Sequence, residues 1–367
     1  MPRSPRSSSA KGPVTIAMVA ARAGVSAPTV SNAINAPEKL RPETLERVLR
    51  AIEETGYRPS RAAQTLRTRS SKLIGYGVRP TPPGTTAPVM DRFLHALSEA
   101  ADEAGYRILL FASPPGGASL TGYEDLLDQH DVDGFVLSDT DERGDPRQPW
   151  LDKQGVPFVA FGRMWSKRQI GDWVDVDGAA GTDAAVEHLI SLGHRKIAFL
   201  GWERGLGVGD DRAEGWQRAM RRHDLPTRAR RAQSADDVDA ARSAVKPLLD
   251  AGATAVVAAS DTLALGCYYA LRERGATPGR DVAVVGFDDS PTAGILSPGL
   301  TSVAQPLEAV GRECVRLLLA RMADPDAEPE RVLLEPSLVV RDSTPALTSR
   351  FHERACPKCD QEGEECL

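Results

Sequence analysis

Apolar residues recur at helical spacing in the first part of the chain and gather into short unbroken runs after it. Ile16, Val19, Ala20 and Ala23 share one face of a helix predicted over Ile16 to Ala23, which Thr15 can cap and Gly24 breaks. Ser26 can cap a second helix. Pro28 is tolerated in its first turn, where an N–H has no intrahelical partner anyway, and Val30 and Ile34 give it a buried stripe. A third helix is predicted after Pro42, with Leu45, Val48, Leu49 and Ile52 inward, ending near Gly56. Small residues at Ala20 and Gly24 let the first two helices cross closely, which leaves the outer face of the second free to enter a major groove.

From Leu73 the period changes. The runs LIGYGV, RILLFAS, VDGFVLS, VPFVAFG, KIAFLGW, AVVAAS and VAVVGFD alternate with helical stretches, the pattern of parallel strands covered by helices on both faces. The number of units argues two such sheets. Ligands of open α/β sheets collect at the carboxyl ends of strands. That rule picks out Ser138-Asp139, Gly162-Arg163, Trp202, Ser260-Asp261 and Phe287-Asp288-Asp289. Converging on one cleft, they would supply the carboxylates, guanidinium and aromatic faces that sugar hydroxyls and C–H surfaces need. Trp165, Trp173 and Trp202 are candidate stacking platforms, with core packing the competing role for each.

Composition narrows the function. At 367 residues the chain is too long for one core, and two or three domains are expected. No apolar run reaches the roughly 18 residues of a spanning helix. The N-terminal MPRSPRSSSAKGP is basic without an apolar stretch behind it, so a cytoplasmic location is expected. Five cysteines, an odd number with Cys267 and Cys314 isolated, do not make a disulfide framework. The overall charge of −6 conceals a division: residues 1–72 hold 13 Lys and Arg against 5 Asp and Glu, a net of +8, which leaves −14 for the remainder. A basic head on an acidic body is the electrostatic footprint of a polyanion-binding module.

After Tyr57-Arg58-Pro59, the stretch Ser60 to Arg67 carries two alanines and a lone Leu66 among Arg61, Arg67 and Arg69. Eight residues are too few for a stable isolated helix, so this segment should order only against a partner copy and DNA. With VTIAMVAARAGVSAPTVSNAIN in the head, GYRPSRAAQTLR after it, and VEHLISLGHRKIAFLG, DDRAEGW, AASDTLALG, VAVVGFDDS and LTSVAQP in that order, the chain from Val14 to about Asp342 resembles the lactose-repressor (LacI/GalR) family of bacterial transcription factors.

The resemblance implies a helix-turn-helix DNA-binding head, a hinge helix that inserts a leucine into the minor groove, and a two-lobed α/β body like the periplasmic sugar-binding proteins. It implies base-reading positions at Ala27, Pro28 and Asn32, phosphate contacts at Thr29, Ser31, Asn35 and Tyr57, and minor-groove insertion at Ala63 and Leu66. It implies effector-cleft positions at Arg212, Ser260, Asp261, Asp288 and Gln305, to which the strand-end rule adds Arg163 and Trp202. Asn32 stands where many members have Arg, so the operator should differ at that base pair, and Gly162 stands where some have a carboxylate, so the sugar cannot be copied from a relative.

The resulting domain plan is a disordered basic tail over 1–13, a DNA-binding domain over 14–59, a hinge over 60–72, an effector-binding and dimerisation domain over 73–345, and a Cys-containing tail over 346–367. The expected partners are double-stranded operator DNA, a second copy of the chain and a mono- or oligosaccharide effector, without a cofactor or an enzymatic reaction.

Two other readings fit less well. Gly205-Leu206-Gly207-Val208-Gly209 is spaced like part of a dinucleotide loop, but Trp202, Glu203 and Arg204 stand between it and the strand, and no acidic residue on a clear next strand follows. A transport-type sugar-binding protein would lack the basic head and carry an export signal. In the tail, His352, Cys356, Cys359 and Cys366 have soft-ligand chemistry, with disorder the stronger expectation and metal binding the alternative.

Overall fold

The computed structural model describes residues 14–57, 70–80, 87–113, 119–138, 145–165, 169–205 and 207–345. The chain forms two compact units, Met1–Ser71 and Lys72–Leu367.

In the first unit, helices α1 (Ile16–Ala23), α2 (Ala27–Asn35) and α3 (Pro42–Thr55) surround Val19, Ala20, Ala23, Val30, Ala33, Val48 and Ala51. A 3-10 turn over Pro37–Lys39, not anticipated from the pattern, joins the last two. Gly24 and Gly56 end α1 and α3 in the left-handed conformation, at φ of 64° and 65°. Ser26 caps α2 by accepting a hydrogen bond from the Thr29 backbone N–H. Three expectations change. Thr15 stands at the N-cap of α1 but its side chain makes no capping bond. Ile34 is only half-buried, and Ala33 joins Val30 inside α2. Leu49 is 49% exposed and Ala51 is buried instead, because Leu49 falls at the rim of the stripe that Leu45, Val48, Ala51 and Ile52 define.

Among its described residues the second unit contains two six-stranded sheets. The first lobe is built on β1 (Leu73–Val78), β2 (Arg107–Ala112), β3 (Gly134–Leu137), β4 (Phe158–Phe161), β5 (Asp172–Val176) and β11 (Arg331–Leu334), in the order β11-β5-β4-β3-β1-β2. The second lobe uses β6 (Ile197–Gly201), β7 (Arg231–Gln233), β8 (Ala255–Ala258), β9 (Ala283–Asp288), β10 (Thr301–Ala304) and β12 (Ser337–Val339), in the order β12-β10-β9-β8-β6-β7. Every pairing is parallel except β10 with β12. Strands β3, β4, β6 and β8 are buried along their whole length, as near-continuous apolar runs under helices on both faces must be.

The chain crosses between lobes three times: before α7 (Gly178–Ser191), before α13 (Leu307–Ala323), and between β11 and β12. Five strands escaped the apolar-run pattern: β5, β7, β10, β11 and β12. In β5, DWVDV, two of the five residues are carboxylates, buried only because Arg321 pairs with Asp172 and Arg163 with Asp175. The second lobe also holds a polar knot, in which His188 Nε2 lies 2.9 Å from Thr344 Oγ1 and the fully buried His194 places Nδ1 3.1 Å from Thr254 Oγ1.

Candidate functional site

The outward face of α2 carries short polar groups. Pro28, Asn32 and Asn35 are exposed, and Ala27, Thr29 and Ser31 are half-buried, while Val30 and Ala33 hold the helix to the core. Thr29 Oγ1 is 2.8 Å from Ser26 Oγ, and Asn35 Nδ2 donates to the Ser31 carbonyl at 2.7 Å. Ser26 starts the helix where it does, and the i, i+4, i+7 spacing then puts Pro28, Asn32 and Asn35 on one side. Tyr57 packs half-buried against the head's core, following the Gly56 cap. The hinge residues Ala63 and Leu66 lie outside the described residues.

The second lobe gathers its polar residues at the carboxyl ends of β6, β8 and β9. Arg212, on α8 (Gly207–Arg222), places its guanidinium 3.6 Å from the centroid of the Phe287 ring and 5.2 Å from that of Trp202. Its Nη1 donates to the Ala259 carbonyl and stands 3.4 Å from Asp288 Oδ1. Gln305 Nε2 donates to that same Asp288 oxygen at 2.7 Å.

Three features mark this cluster as more than packing. Asp288 adopts φ 106°, a backbone region that costs an ordinary L-residue about 1–3 kcal/mol. Its carboxyl is pushed up to about 7, chiefly by burial, against the lowering effect of Arg212. Two buried donors, Arg212 Nε and Trp202 Nε1, have no hydrogen-bond partner among the described residues, an arrangement that costs about 1–3 kcal/mol per group and that ligand acceptors would relieve. Guanidinium, carboxylate, amide and the Trp202 face together suit a polyhydroxylated ligand with apolar C–H surfaces.

Not every expected cleft residue is free for such a ligand. Ser260 caps α11 (Asp261–Glu273) by accepting from the Leu263 N–H, and its hydroxyl donates to Asp236 Oδ1 at 2.5 Å. Asp261 accepts from the Ser302 hydroxyl at 2.6 Å and from the Ser290 N–H at 2.7 Å, fixing the loop that follows Asp288. Arg163 is held between two carboxylates, with Nε 2.9 Å from Asp175 Oδ2 and Nη2 3.0 Å from Asp211 Oδ2. Trp173 is not in a cleft loop: it lies within β5, its Nε1–H donating to Gln169 Oε1 at 2.8 Å, packed with the core under β3 and β4. Trp165 stacks on Arg163, 4.2 Å from ring centroid to guanidinium carbon.

Sequence reasoning missed Asp175 and Asp211. The signal was present in the second case, since Asp211 directly precedes Arg212, whereas Asp175 is hidden in a strand that reads as polar. It also missed the buried pair Arg147–Asp145, whose members are 4% and 2% exposed and 2.6 Å apart. Asp139 and the tail residues His352, Cys356, Cys359 and Cys366 lie outside the described residues, among which no group of His, Cys, Asp and Glu could hold a metal ion. Among those residues no helix is long and apolar enough to cross a membrane.

Residues 15–60 match the model of bacterial regulatory proteins of the lacI family, and residues 186–344 match a periplasmic binding protein-like domain. The chain is 37% identical to the HTH-type transcriptional regulator CelR of Thermobifida fusca, over 90% of this chain and 98% of that one. It is similar to the solved complex of the transcriptional regulator CelR with cellobiose, at 34% identity and a TM-score of 0.68, covering 90% of this chain and 99% of that one. It is also similar to the lac repressor dimer bound to operator and the anti-inducer ONPF, at 28% identity and a TM-score of 0.77, covering 91% and 100%.

Proposed function

The chain belongs to the lacI family of bacterial regulatory proteins, and from that premise we propose that this DNA-binding transcriptional regulator is a cytoplasmic, homodimeric repressor whose grip on its operator is set by a small sugar held between the lobes. It is not an enzyme. Residues 14–59 read the operator: Ala27, Pro28 and Asn32 face base edges, and Thr29, Ser31, Asn35 and Tyr57 face phosphates. Residues 60–72 form the hinge, with Ala63 and Leu66 entering the minor groove. Residues 73–345 bind effector and dimerise, between a basic tail over 1–13 and a Cys-containing tail over 346–367.

In the cleft, Arg212, Asp288 and Gln305 engage hydroxyls and Trp202 offers an apolar face to the ring, while the buried Phe287 backs the Arg212 guanidinium. Ser260 and Asp261 support the loops that carry them. The observation that carries this reading is the strained Asp288 facing Arg212, with two unpartnered buried donors beside it. The named relatives favour the same class, since one is solved with cellobiose and another with operator and an anti-inducer.

The test is a panel of neutral mono- and disaccharides, including cellobiose and maltose, scored for thermal stabilisation of the full chain and for change in operator affinity. At least one sugar should do both. A panel in which every sugar leaves stability and operator affinity unchanged would contradict the reading.

A further inference from the structure

We propose that Arg163 and Trp165 are positioning residues, a clasp from the first lobe that grips the start of α8 in the second and sets effector affinity without touching the effector. The proposal rests on the reading of the cleft as an effector site and assigns these two residues a different task within it.

Both residues sit on the loop that leaves β4. Arg163 is fixed at its base by Asp175 at the end of β5, which accepts from its backbone N–H at 3.3 Å as well as facing Nε at 2.9 Å. The far end of the guanidinium reaches across to Asp211 Oδ2 at 3.0 Å. That oxygen also accepts from the Ala179 N–H at 3.0 Å, at the first crossover between lobes. One guanidinium thus ties a strand of the first lobe to a helix and a crossover of the second.

Trp165 makes a second tie beside the first. Its indole covers the Arg163 guanidinium and lies against Gly207, the first residue of α8, so closely that a Cβ there would fall inside the ring. The loop therefore touches α8 at Gly207 and Asp211, directly before Arg212.

Arg163 offsets the cost of burying two carboxylates at this contact. Asp175 and Asp211 are 11% and 15% exposed in their side chains, and burial raises the pKa of both while Arg163 pulls each back down. With α8 in place and Arg163 removed, Asp211 would stand buried without its cation, a costly state, so the contact depends on the pair. The clasp thus favours the arrangement in which α8 presents Arg212 to the cleft with the first lobe in place. Since Arg163 spends its charge on two carboxylates, this preference applies to every effector alike, whereas a residue that touched the ligand would discriminate among sugars.

The test uses the full chain and two readouts. In ligand-free hydrogen–deuterium exchange, Arg163→Gln, Asp211→Asn and Gly207→Ala should each speed exchange in the peptides covering 172–180 and 207–212, on the order of tenfold, and Arg163→Lys should recover part of the protection. Adding Trp165→Ala to Gly207→Ala should change nothing further. Unchanged exchange in all three single variants would overturn the clasp, and this readout requires no effector. In calorimetric titrations with cellobiose, maltose and ribose, every sugar that binds the wild type should bind Arg163→Gln more weakly by one common factor, on the order of tenfold. A changed rank order would overturn the proposal by making Arg163 a ligand contact. Failure of all sugars to bind the wild type would count instead against the effector reading.

Discussion

Arg212 and Asp288 meet at 3.4 Å although one comes from α8 and the other from the end of β9, and Gln305 closes on the same Asp288 oxygen from the second crossover. A ligand hydroxyl entering here meets a carboxylate already oriented by two donors, which is how a site reduces the ordering cost of binding. Asp288→Ala or Arg212→Ala should weaken effector binding by about 1.5–3 kcal/mol, the scale of a hydrogen bond to a charged group. Titration calorimetry with the effector found in the sugar panel checks this, alongside a circular-dichroism melt to confirm folding.

The same carboxyl should make effector binding sensitive to pH. Burial pushes Asp288 up to about 7, opposed by Arg212 and Gln305 and reinforced by the nearby carboxylates Asp261 and Asp236. Its ionised form accepts hydroxyl hydrogens from both oxygens, so affinity should fall as pH drops through 7, approaching tenfold per unit below it. Affinities measured between about pH 8 and pH 6 should show this fall in the wild type and lose it in Asp288→Asn. A wild-type profile that is flat across that interval would refute the assignment.

The buried pair Arg147–Asp145 makes an energetic prediction. Arg147 also donates to the Ser138 carbonyl at 2.9 Å, so removing it strands both a carboxylate and a carbonyl. Arg147→Ala should destabilise the body by about 3–5 kcal/mol, while Arg147→Met combined with Asp145→Asn should cost much less, because no unpaired charge remains. Chemical denaturation of the three proteins gives the comparison, and equal losses for both variants would argue that packing rather than charge is at stake.

A histidine reports on the second lobe. His194 is fully buried, and burial, reinforced by the charge of His188, lowers its pKa to about 4. With an unfolded value near 6.5, the unfolded chain takes up a proton that the folded chain refuses between about pH 6.5 and 4. Its contribution to stability is therefore complete above the unfolded value and is lost as pH falls through that window. Ring-shift titration by NMR should show His194 neutral down to about pH 4, against ordinary behaviour in denaturant.

Much of this architecture was legible from the chain because the relevant forces are local. Ser26, Pro28 and Gly24 place α2 and its exposed face through capping and backbone freedom, and the apolar runs LIGYGV and VAVVGFD match β1 and β9. What stayed hidden depends on distant partners. Strand β5 reads as polar until Arg321 and Arg163 arrive to pair its carboxylates, and Trp173 looks like a cleft residue until that strand forms. Arg163 was legible as a cleft residue by its position after β4, but the use of its charge depends on Asp211, which only folding brings within reach. Asp261 looks like a ligand group in sequence, and its carboxylate also holds Ser290 and Ser302, partners that only folding brings within reach.

Asn32 tests the reading head. Its amide is exposed on α2, with one donor and one acceptor matched to adenine N7 and N6, where Arg would offer only donors suited to guanine. Asn32→Arg should shift preference from adenine to guanine at one pair per half-site by about 1–3 kcal/mol and leave the other positions nearly unchanged. Binding-site selection on both proteins decides it, and an identical consensus would move Asn32 from base to backbone.

The central claim is that occupancy of the Arg212–Asp288 cleft controls operator affinity, and fluorescence anisotropy of a labelled operator tests it most directly. Titrated with the effector at fixed salt, the wild type should change its operator affinity, while Arg212→Ala should bind operator in the absence of sugar and need about 10–150-fold more sugar for the same change. A response of Arg212→Ala over the same sugar concentrations as the wild type would contradict the account.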